Sequence, residues 1–310
     1  MHDLVSALKG ALDYTQLYRK QTFVIKIGGE ILEAHDTLEN FVEQIALLES
    51  LSIRLVLVHG GGPQATALSE RLDVPSERIG GRRVTTPAML EVAKMVYAGQ
   101  INVDLLAALR GKRVSPVGLS GIDGHLVTVK RRPPVEVEDD DGKTRTVDFG
   151  EVGDVASVDV RVLTTLLDNH YLPVVASLAA DEKGAPLNVN ADVIAESLAT
   201  ALGAQKLLFL TTSPGLLRDV KDESSLVAFA DPDMLVQMME SGAIQSGMKP
   251  KIESCLRAVR GGVRRTHILD GRKPDSLLLE LFTGAGCGTM IVEQAEMASY
   301  REHELETQQA

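Results

Sequence analysis

Short apolar runs alternate along the chain with longer segments whose apolar residues recur every three or four positions. Five runs read as strands that stop at a turn signal: TFVIKIGG from Thr22, IRLVLVHGGG from Ile53, YLPVVASLA from Tyr171, KLLFLTTSPG from Lys206 and RRTHILDG from Arg264. Between them LENFVEQIALLESL, PQATALSERL, AMLEVAKMVYAGQINVDLLAALRG and ADVIAESLATALG carry helical spacing. Strands that are apolar on both faces and separated by helices predict an α/β protein with a mostly parallel sheet covered on both sides. The stretch from His125 to Gly150 breaks this rhythm. It alternates like β structure around an Asp141–Gly142 turn and predicts an antiparallel excursion from the main sheet, with the acidic run Glu138 to Asp141 as its solvated tip. At the N-terminus Leu4, Leu8 and Leu12 fall at i, i+4 and i+8 and predict an amphipathic helix, without the apolar core and small-residue cleavage site of a signal peptide. The closing MASYREHELETQQA is polar throughout.

Composition narrows the partners. The 310 residues include 32 Lys plus Arg against 43 Asp plus Glu, a net charge of −11. Such a chain gains no counterion-release attraction to nucleic acid. A small anionic substrate stays compatible, because a few local cations and helix ends outweigh the global field. Cys255 and Cys287 form neither a metal-spaced set nor a disulfide framework, which fits a reducing, cytoplasmic setting with no metal site of its own. No apolar run approaches the roughly 20 residues of a membrane span.

In open parallel sheets ligands bind beyond the carboxyl ends of the strands, which is where the chemically suggestive residues fall. Lys26-Ile27-Gly28-Gly29 puts an ammonium at the end of a strongly apolar run, followed by glycines whose bare N–H groups suit a ligand; alone it is equally a tight turn beside a snorkelling lysine. His59-Gly60-Gly61-Gly62-Pro63 is more telling: a strand, a triple glycine and a proline at the expected first helical position make a helix N-terminus that suits an anion. Neither Walker A, nor G-x-G-x-x-G, nor the G-x-S-x-G elbow of esterases occurs. Gly247-Met248-Lys249-Pro250-Lys251 sets lysines at a helix start against the macrodipole, a placement a bound polyanion would make favourable and a solvated cap would also explain. Asn188, Asn190 and Asp192 share one face if their segment is extended, though an Asx turn or helix cap fits as well. Arg83 offers a bidentate carboxylate clamp, or is simply a surface arginine.

Taken in order with VGLSGIDGHL, DFGEVGDVASVD, YLPVVASL, NVNAD, GMKPKIESCLRAVRGGV and HILDGRKPDSLLLELFTGAGCGTMI, these motifs resemble the N-acetylglutamate kinase branch of the amino acid kinase family, over about residues 10–294. The resemblance implies a three-layer αβα sandwich of two lobes, with the amino acid substrate on residues 21–187 and nucleotide on 188–296, preceded by a helix at 1–20 and followed by a polar tail at 297–310. It implies ATP as phosphoryl donor, Mg²⁺ held mainly by the nucleotide phosphates, and the side-chain carboxylate of N-acetyl-L-glutamate as acceptor. Lys26 and Lys251 would neutralise the transferring phosphoryl group while Asp192 orients them. Gly28, Gly29 and Gly60 would bind phosphate. Gly61 and Gly62 would meet the attacking carboxylate, and Arg83 and Asn188 the α-carboxylate. Thr212, Ser213, Gly215, Leu216, Gly247 and Met248 would border the nucleotide. The N-terminal helix and the C-terminal loop further resemble arginine-inhibited, hexameric members, in which Tyr14, His267, Glu280 and Gly286 would line an arginine pocket. A carboxylate is already ionised at neutral pH, so such a transfer needs alignment and charge stabilisation rather than a base, and His59 is left a structural role.

The chain departs from the family pattern at Thr212, where aspartate is usual in the strand-end turn, at Glu30 after Gly29, and at Val103, where lysine is common. The alternatives are a sister kinase acting on N-acetyl-aminoadipate or N-succinylglutamate, and a non-catalytic arginine-sensing pseudokinase.

Overall fold

The strand TFVIKI becomes β1 (Thr22–Ile27), an interior strand of an eight-stranded sheet. The computed structural model describes residues 12, 14–80, 82–138, 144–242, 244, 247–283, 286–294 and 296. The other strands are β2 (Arg54–His59), β3 (Pro116–Ser120), β4 (Leu172–Ala176), β5 (Lys206–Thr211), β6 (Phe229–Ala230), β7 (Arg265–Asp270) and β8 (Thr289–Val292). They lie in the order β6-β8-β7-β5-β1-β2-β4-β3. All neighbours are parallel except β7 and β8. The five expected strands are present; β3, β6 and β8 are additions, short or interrupted by Pro and Gly and therefore weak in pattern.

Alternation along β1 sorts its side chains between two covering layers. Phe23, Ile25 and Ile27 join Leu55, Leu57, Leu208, Leu210 and Leu269 in one apolar cluster. That cluster is closed by α1 (His35–Ser50), whose Phe41, Val42, Ile45 and Leu48 are buried in it. Val24 joins Val56, Val58, Leu207, Phe209 and Ile268 on the opposite face. Each buried side chain of this size contributes about 1.5–3 kcal/mol. Between β2 and β3 the chain forms α2 (Gly62–Arg71), α3 (Pro87–Lys94), a π-helical turn at Met95–Ile101 and α4 (Asn102–Gly111). The second half supplies α5 (Ala191–Ala201), α6 (Lys249–Arg260) and α7 (Ser276–Phe282). Helices α5 and α6 cover the Val24 face; α4 and α7 join α1 on the other.

From β1 the chain moves to β2 on one side, and after β4 it returns to β5 on the other. The carboxyl ends of β1 and β5 therefore flank a topological switch point, the place where such sheets bind ligands. The two halves of the sequence share one sheet, with five registered pairs joining β1 to β5.

The expected excursion is resolved differently from a single hairpin. Val127–Arg131 pairs with Gly153–Val158 in a separate four-stranded sheet, while Val135–Glu138 and Thr144–Val147 form their own hairpin. The Asp141–Gly142 turn lies outside the described residues, as do Leu4, Leu8 and the tail at 297–310. In the described part of the N-terminal helix Tyr14 and Tyr18 are buried. Residues 14–18 are helical, Tyr14 and Tyr18 stack at 5.7 Å, and Tyr18 meets Phe23 edge-on at 5.2 Å. Leu12 is 52% exposed. Among the described residues no helix is long and apolar enough to cross a membrane.

Candidate active site

Lys26 lies two residues after Val24, so its side chain points into the α5/α6 layer rather than toward α1. Asn190 caps α5 by accepting a hydrogen bond from the Asp192 N–H at 2.8 Å, which places Asp192 in the first helical turn. The extended-face arrangement of Asn188, Asn190 and Asp192 is thus replaced by strand, cap and helix. Lys251 occupies the first turn of α6, as expected. The end of β1 and the starts of α5 and α6 converge: Lys26 Nζ is 2.8 Å from Asp192 Oδ1, and Lys251 Nζ donates to Oδ2 at 3.0 Å.

Lys26 and Asp192 are buried, at 8% and 5% exposure. Burial opposes the charge on Asp192, but Lys26 and Lys251 outweigh it and hold the carboxyl well below its usual range. Burial lowers the Lys26 ammonium, which Asp192 only partly restores against repulsion from Lys251. Lys251 is also penalised by burial, yet Asp192 leaves it raised. Two cations converge on one carboxylate, with Glu30 attracting both more weakly, and the positive charge concentrated at the switch point suits a phosphoryl group.

Two glycine turns stand beside the trio. The Gly28 N–H donates to the Leu210 carbonyl at 3.2 Å, and Gly29 opens a one-turn 3₁₀ helix to Leu32. Gly61 caps α2, which starts at Gly62, so Pro63 is its second residue rather than its first. A Cβ on Gly61 would lie 2.3 Å from Ile101 Cδ1 and 2.8 Å from the Tyr97 ring, both carried by the π-helical turn. A Cβ on Gly29 would stand 3.4 Å from Gly61 Cα, so the two turns nearly touch. Gly60, by contrast, meets only ordinary contacts. His59 donates from Nδ1 to the Gly60 carbonyl at 3.0 Å, and its Nε2 faces the Asn102 amide at 3.2 Å. Burial lowers its pKa to about 4, so it is neutral and holds the loop, in keeping with the structural role expected.

Arg83 reaches the same loop. Its Nη2 donates to the Gly62 carbonyl at 2.8 Å and Thr66 Oγ1 at 2.6 Å, and its Nη1 to Ser76 Oγ. Arg78 pairs with Arg83 across a small hairpin, and its Nη2 would lie 3.3 Å from a Cβ on Gly62. Arg78 was not anticipated; its signal is the two-residue turn that makes the two arginines cross-strand neighbours. Asn188 donates from Nδ2 to Thr85 Oγ1 at 3.1 Å.

Ser213, Gly215, Leu216 and Met248 line one cleft with Leu217, Val220 and Ile244. Gly215 has φ +146, and a Cβ there would stand 2.6 Å from Thr289 Oγ1, whose hydroxyl also accepts from the Leu216 N–H. Gly247 adjoins the cleft through Met248. Thr212 is exposed, and its carbonyl accepts from Arg272 Nη2 at 2.6 Å; Arg272 also grips Asp270. Asp270 is the register partner of Thr211, so an aspartate stands one strand over from the turn where one was missing.

Tyr14, His267, Glu280 and Gly286 come together in a separate pocket with Tyr18 and Lys206. His267 Nδ1 is 2.7 Å from Glu280 Oε1 and Lys206 Nζ 3.3 Å from His267 Nε2. Glu280 Oε2 accepts from the N–H groups of Cys287 and Gly288. Burial and the neighbouring Lys206 charge lower the His267 pKa to about 4.

Residues 21–270 match the model of the amino acid kinase family. The acetylglutamate kinase of Myxococcus xanthus (strain DK1622) is 47% identical over 294 residues, covering 94% of this chain and 95% of that protein. That of Synechococcus sp. (strain JA-2-3B'a(2-13)) is 41% identical, over 91% of this chain and 86% of its own. Among solved structures, N-acetylglutamate synthase from Neisseria gonorrhoeae, complexed with coenzyme A and N-acetyl-glutamate, aligns at a TM-score of 0.79 and 30% identity. The alignment covers 94% of this chain and 63% of the synthase, so this chain spans less than two thirds of that protein. The same synthase with coenzyme A and L-arginine aligns at 0.78 and 27% identity, over 94% and 65%.

Proposed function

The chain belongs to the amino acid kinase family, and we propose that it transfers the γ-phosphoryl group of ATP to the side-chain carboxylate of N-acetyl-L-glutamate, a step of arginine biosynthesis. The observation that carries this is the Lys26–Asp192–Lys251 trio at the switch point, set against two interlocked glycine turns. On this reading residues 21–187 hold the acylated amino acid and 188–296 the nucleotide, which brings Mg²⁺ on its phosphates as part of the substrate. Lys26 and Lys251 place positive charge where the transferring group gains negative charge, and Asp192 fixes both ammonium groups. Amides of Gly29 and Gly60 hold phosphate, while Gly28, expected to do the same, has its N–H taken by the Leu210 carbonyl and shapes the turn instead; those of Gly61 and Gly62 orient the attacking carboxylate. Arg83 and Asn188 bind the α-carboxylate, Arg83 after exchanging protein acceptors for substrate. Ser213, Gly215, Leu216 and Met248 take the nucleotide, with Thr212 and Gly247 at its margin. The carboxylate is already ionised, so alignment and charge supply the catalysis.

The second pocket is proposed as an arginine site: the Glu280 carboxylate suits a guanidinium and Lys206 a carboxylate, with Tyr14, Tyr18, His267 and Gly286 as walls. The N-terminal helix, part of that wall, would then link copies into a hexamer in the cytosol.

Purified protein given ATP, Mg²⁺ and N-acetylglutamate should form an acyl phosphate, trapped as its hydroxamate. Turnover only with N-acetyl-aminoadipate or N-succinylglutamate would reassign the substrate. Arginine at millimolar concentration should inhibit, and indifference to it would remove the regulatory assignment.

A further inference from the structure

Gln64 sits in α2, three residues after Gly61. Its Nε2 donates to the Gly29 carbonyl, 35 residues away in sequence, at 2.7 Å, tying the two glycine turns together. A Cβ on Gly29 would meet Gln64 Oε1 at 2.7 Å, Pro63 Cδ at 3.0 Å and Gly61 Cα at 3.4 Å, so Gly29 is boxed in by the start of α2. Gln64 Oε1 is buried and accepts no hydrogen bond. Turning the amide over would set that oxygen against the Gly29 carbonyl, acceptor facing acceptor. The tie to Gly29 therefore fixes the amide's orientation, at the cost of an orphaned acceptor.

We infer that Gln64 is a positioning residue for phosphoryl transfer, its hydrogen bond setting the separation between the turn that holds phosphate and the turn that holds the attacking carboxylate. This rests on the kinase reading of the site. The Gly28–Gly29 turn is anchored at one end, through Gly28 N–H, to the Leu210 carbonyl of β5, and Gln64 anchors its next residue to α2. Gln64 also borders a cavity of about 300 Å³ together with Leu32, Leu38, Ile101 and Leu105. With the tie cut, that space lets the turn and α2 relax apart. A transfer without a general base depends on the approach of the two reacting oxygens to phosphorus, and a misplacement of about 1 Å costs about 10²-fold.

Gln64→Glu keeps the size, but an ionised carboxylate cannot donate to Gly29; protonated, it regains an O–H donor. We expect its kcat to fall about 30- to 100-fold at pH 7.5, with KM for both substrates within about threefold of wild type. The kcat ratio of variant to wild type should climb as pH falls toward 5.5, because burial beside a carbonyl raises a carboxyl pKa. Gln64→Met, apolar and of similar length, should show the same loss with no pH recovery, and thermal unfolding of each variant reports that it is folded. Folded variants with kcat within twofold of wild type would overturn the inference, as would a loss confined to KM or a pH-independent ratio for Gln64→Glu. Wild-type hydroxamate formation is measured alongside. Its absence would defeat the kinase reading itself, a result distinct from active wild type with unaffected variants.

Discussion

Replacing Asp192 by asparagine keeps the shape of the side chain and removes the one anion between the buried Lys26 ammonium and the partly buried Lys251 ammonium. At 2.8 and 3.0 Å, each pair has a Coulomb energy of about 6 kcal/mol at an effective dielectric of about 20. Much of that offsets the burial of the charges, so the net loss expected on breaking the arrangement is about 3–5 kcal/mol. Urea denaturation at pH 7.5 should therefore show a markedly lower midpoint with the same m-value. Activity carries a second signature. Lys26 already titrates below the usual lysine range because burial outweighs Asp192, and without the carboxylate it falls further. A lysine with a lowered pKa loses its charge as pH rises, so the alkaline limb of kcat should move to lower pH in Asp192→Asn, and the variant should recover relative activity on acidification. The depressed pKa of Asp192 itself stabilises the fold above the unfolded carboxyl value of about 4 and fades only below it, well away from this window. Stability within about 0.5 kcal/mol of wild type together with an unmoved alkaline limb would refute the bridging role.

Gly61→Ala should lose about 1–3 kcal/mol by overpacking against Ile101 and Tyr97, and Ile101→Ala in the same chain should restore part of it, read by thermal unfolding. His59 and His267 are buried with pKa values lowered to about 4, so the unfolded chain binds their protons first as pH falls below 6.5. Stability should drop by about 2 kcal/mol per histidine between pH 7.5 and 5, and a flat profile would contradict their neutral burial. Arg83→Lys keeps the charge but loses the planar fork, so KM for the acylated amino acid should rise at least tenfold while KM for ATP changes little, as steady-state kinetics can show.

The sheet and its two covers were legible because TFVIKI, RLVLVH and KLLFLT have unbroken or nearly unbroken apolar interiors and end at turn signals, and nothing competes with strand formation there. Lys26, Asp192 and Lys251 were legible only in combination: a lysine closing an apolar run and polar residues at two helix starts say nothing of meeting until the strand order brings β1 beside α5 and α6. Contacts between distant segments with ordinary composition were not legible. Gln64 reads as a plain helical residue, Arg78 as a surface one, and the π-helical turn at Met95–Ile101 has the same spacing as the α-helix around it. Amphipathic spacing in the N-terminal helix also does not reveal that Tyr14 and Tyr18 have Phe23 and Phe282 as partners. Likewise the missing strand-end aspartate could be noticed, but not that Arg272, held by Asp270, reaches the Thr212 carbonyl from the next strand.

A net charge of −11 and a site for polyanions are reconciled by how locally the positive charge is concentrated. Lys26 and Lys251 share one carboxylate and only a weaker attraction from Glu30, so their positive charge is incompletely compensated in a buried position, a cost to the fold in the absence of a ligand. The lowered pKa of Lys26 marks which lysine bears that cost. Its replacement by methionine, similar in length and apolar, leaves Asp192 paired with Lys251 alone. Lys26→Met should then be as stable as wild type without nucleotide, or more so, while losing kcat by orders of magnitude. A bound triphosphate present at a hundredfold excess over its Kd adds about 2.7 kcal/mol to the wild-type fold. In Lys26→Met most of that gain should vanish, so the two proteins exchange rank in thermal unfolding when ATP and Mg²⁺ are added. If the variant is instead markedly less stable without nucleotide, the surplus charge is not the strained element of this site, and Lys26 serves the fold before it serves the transfer.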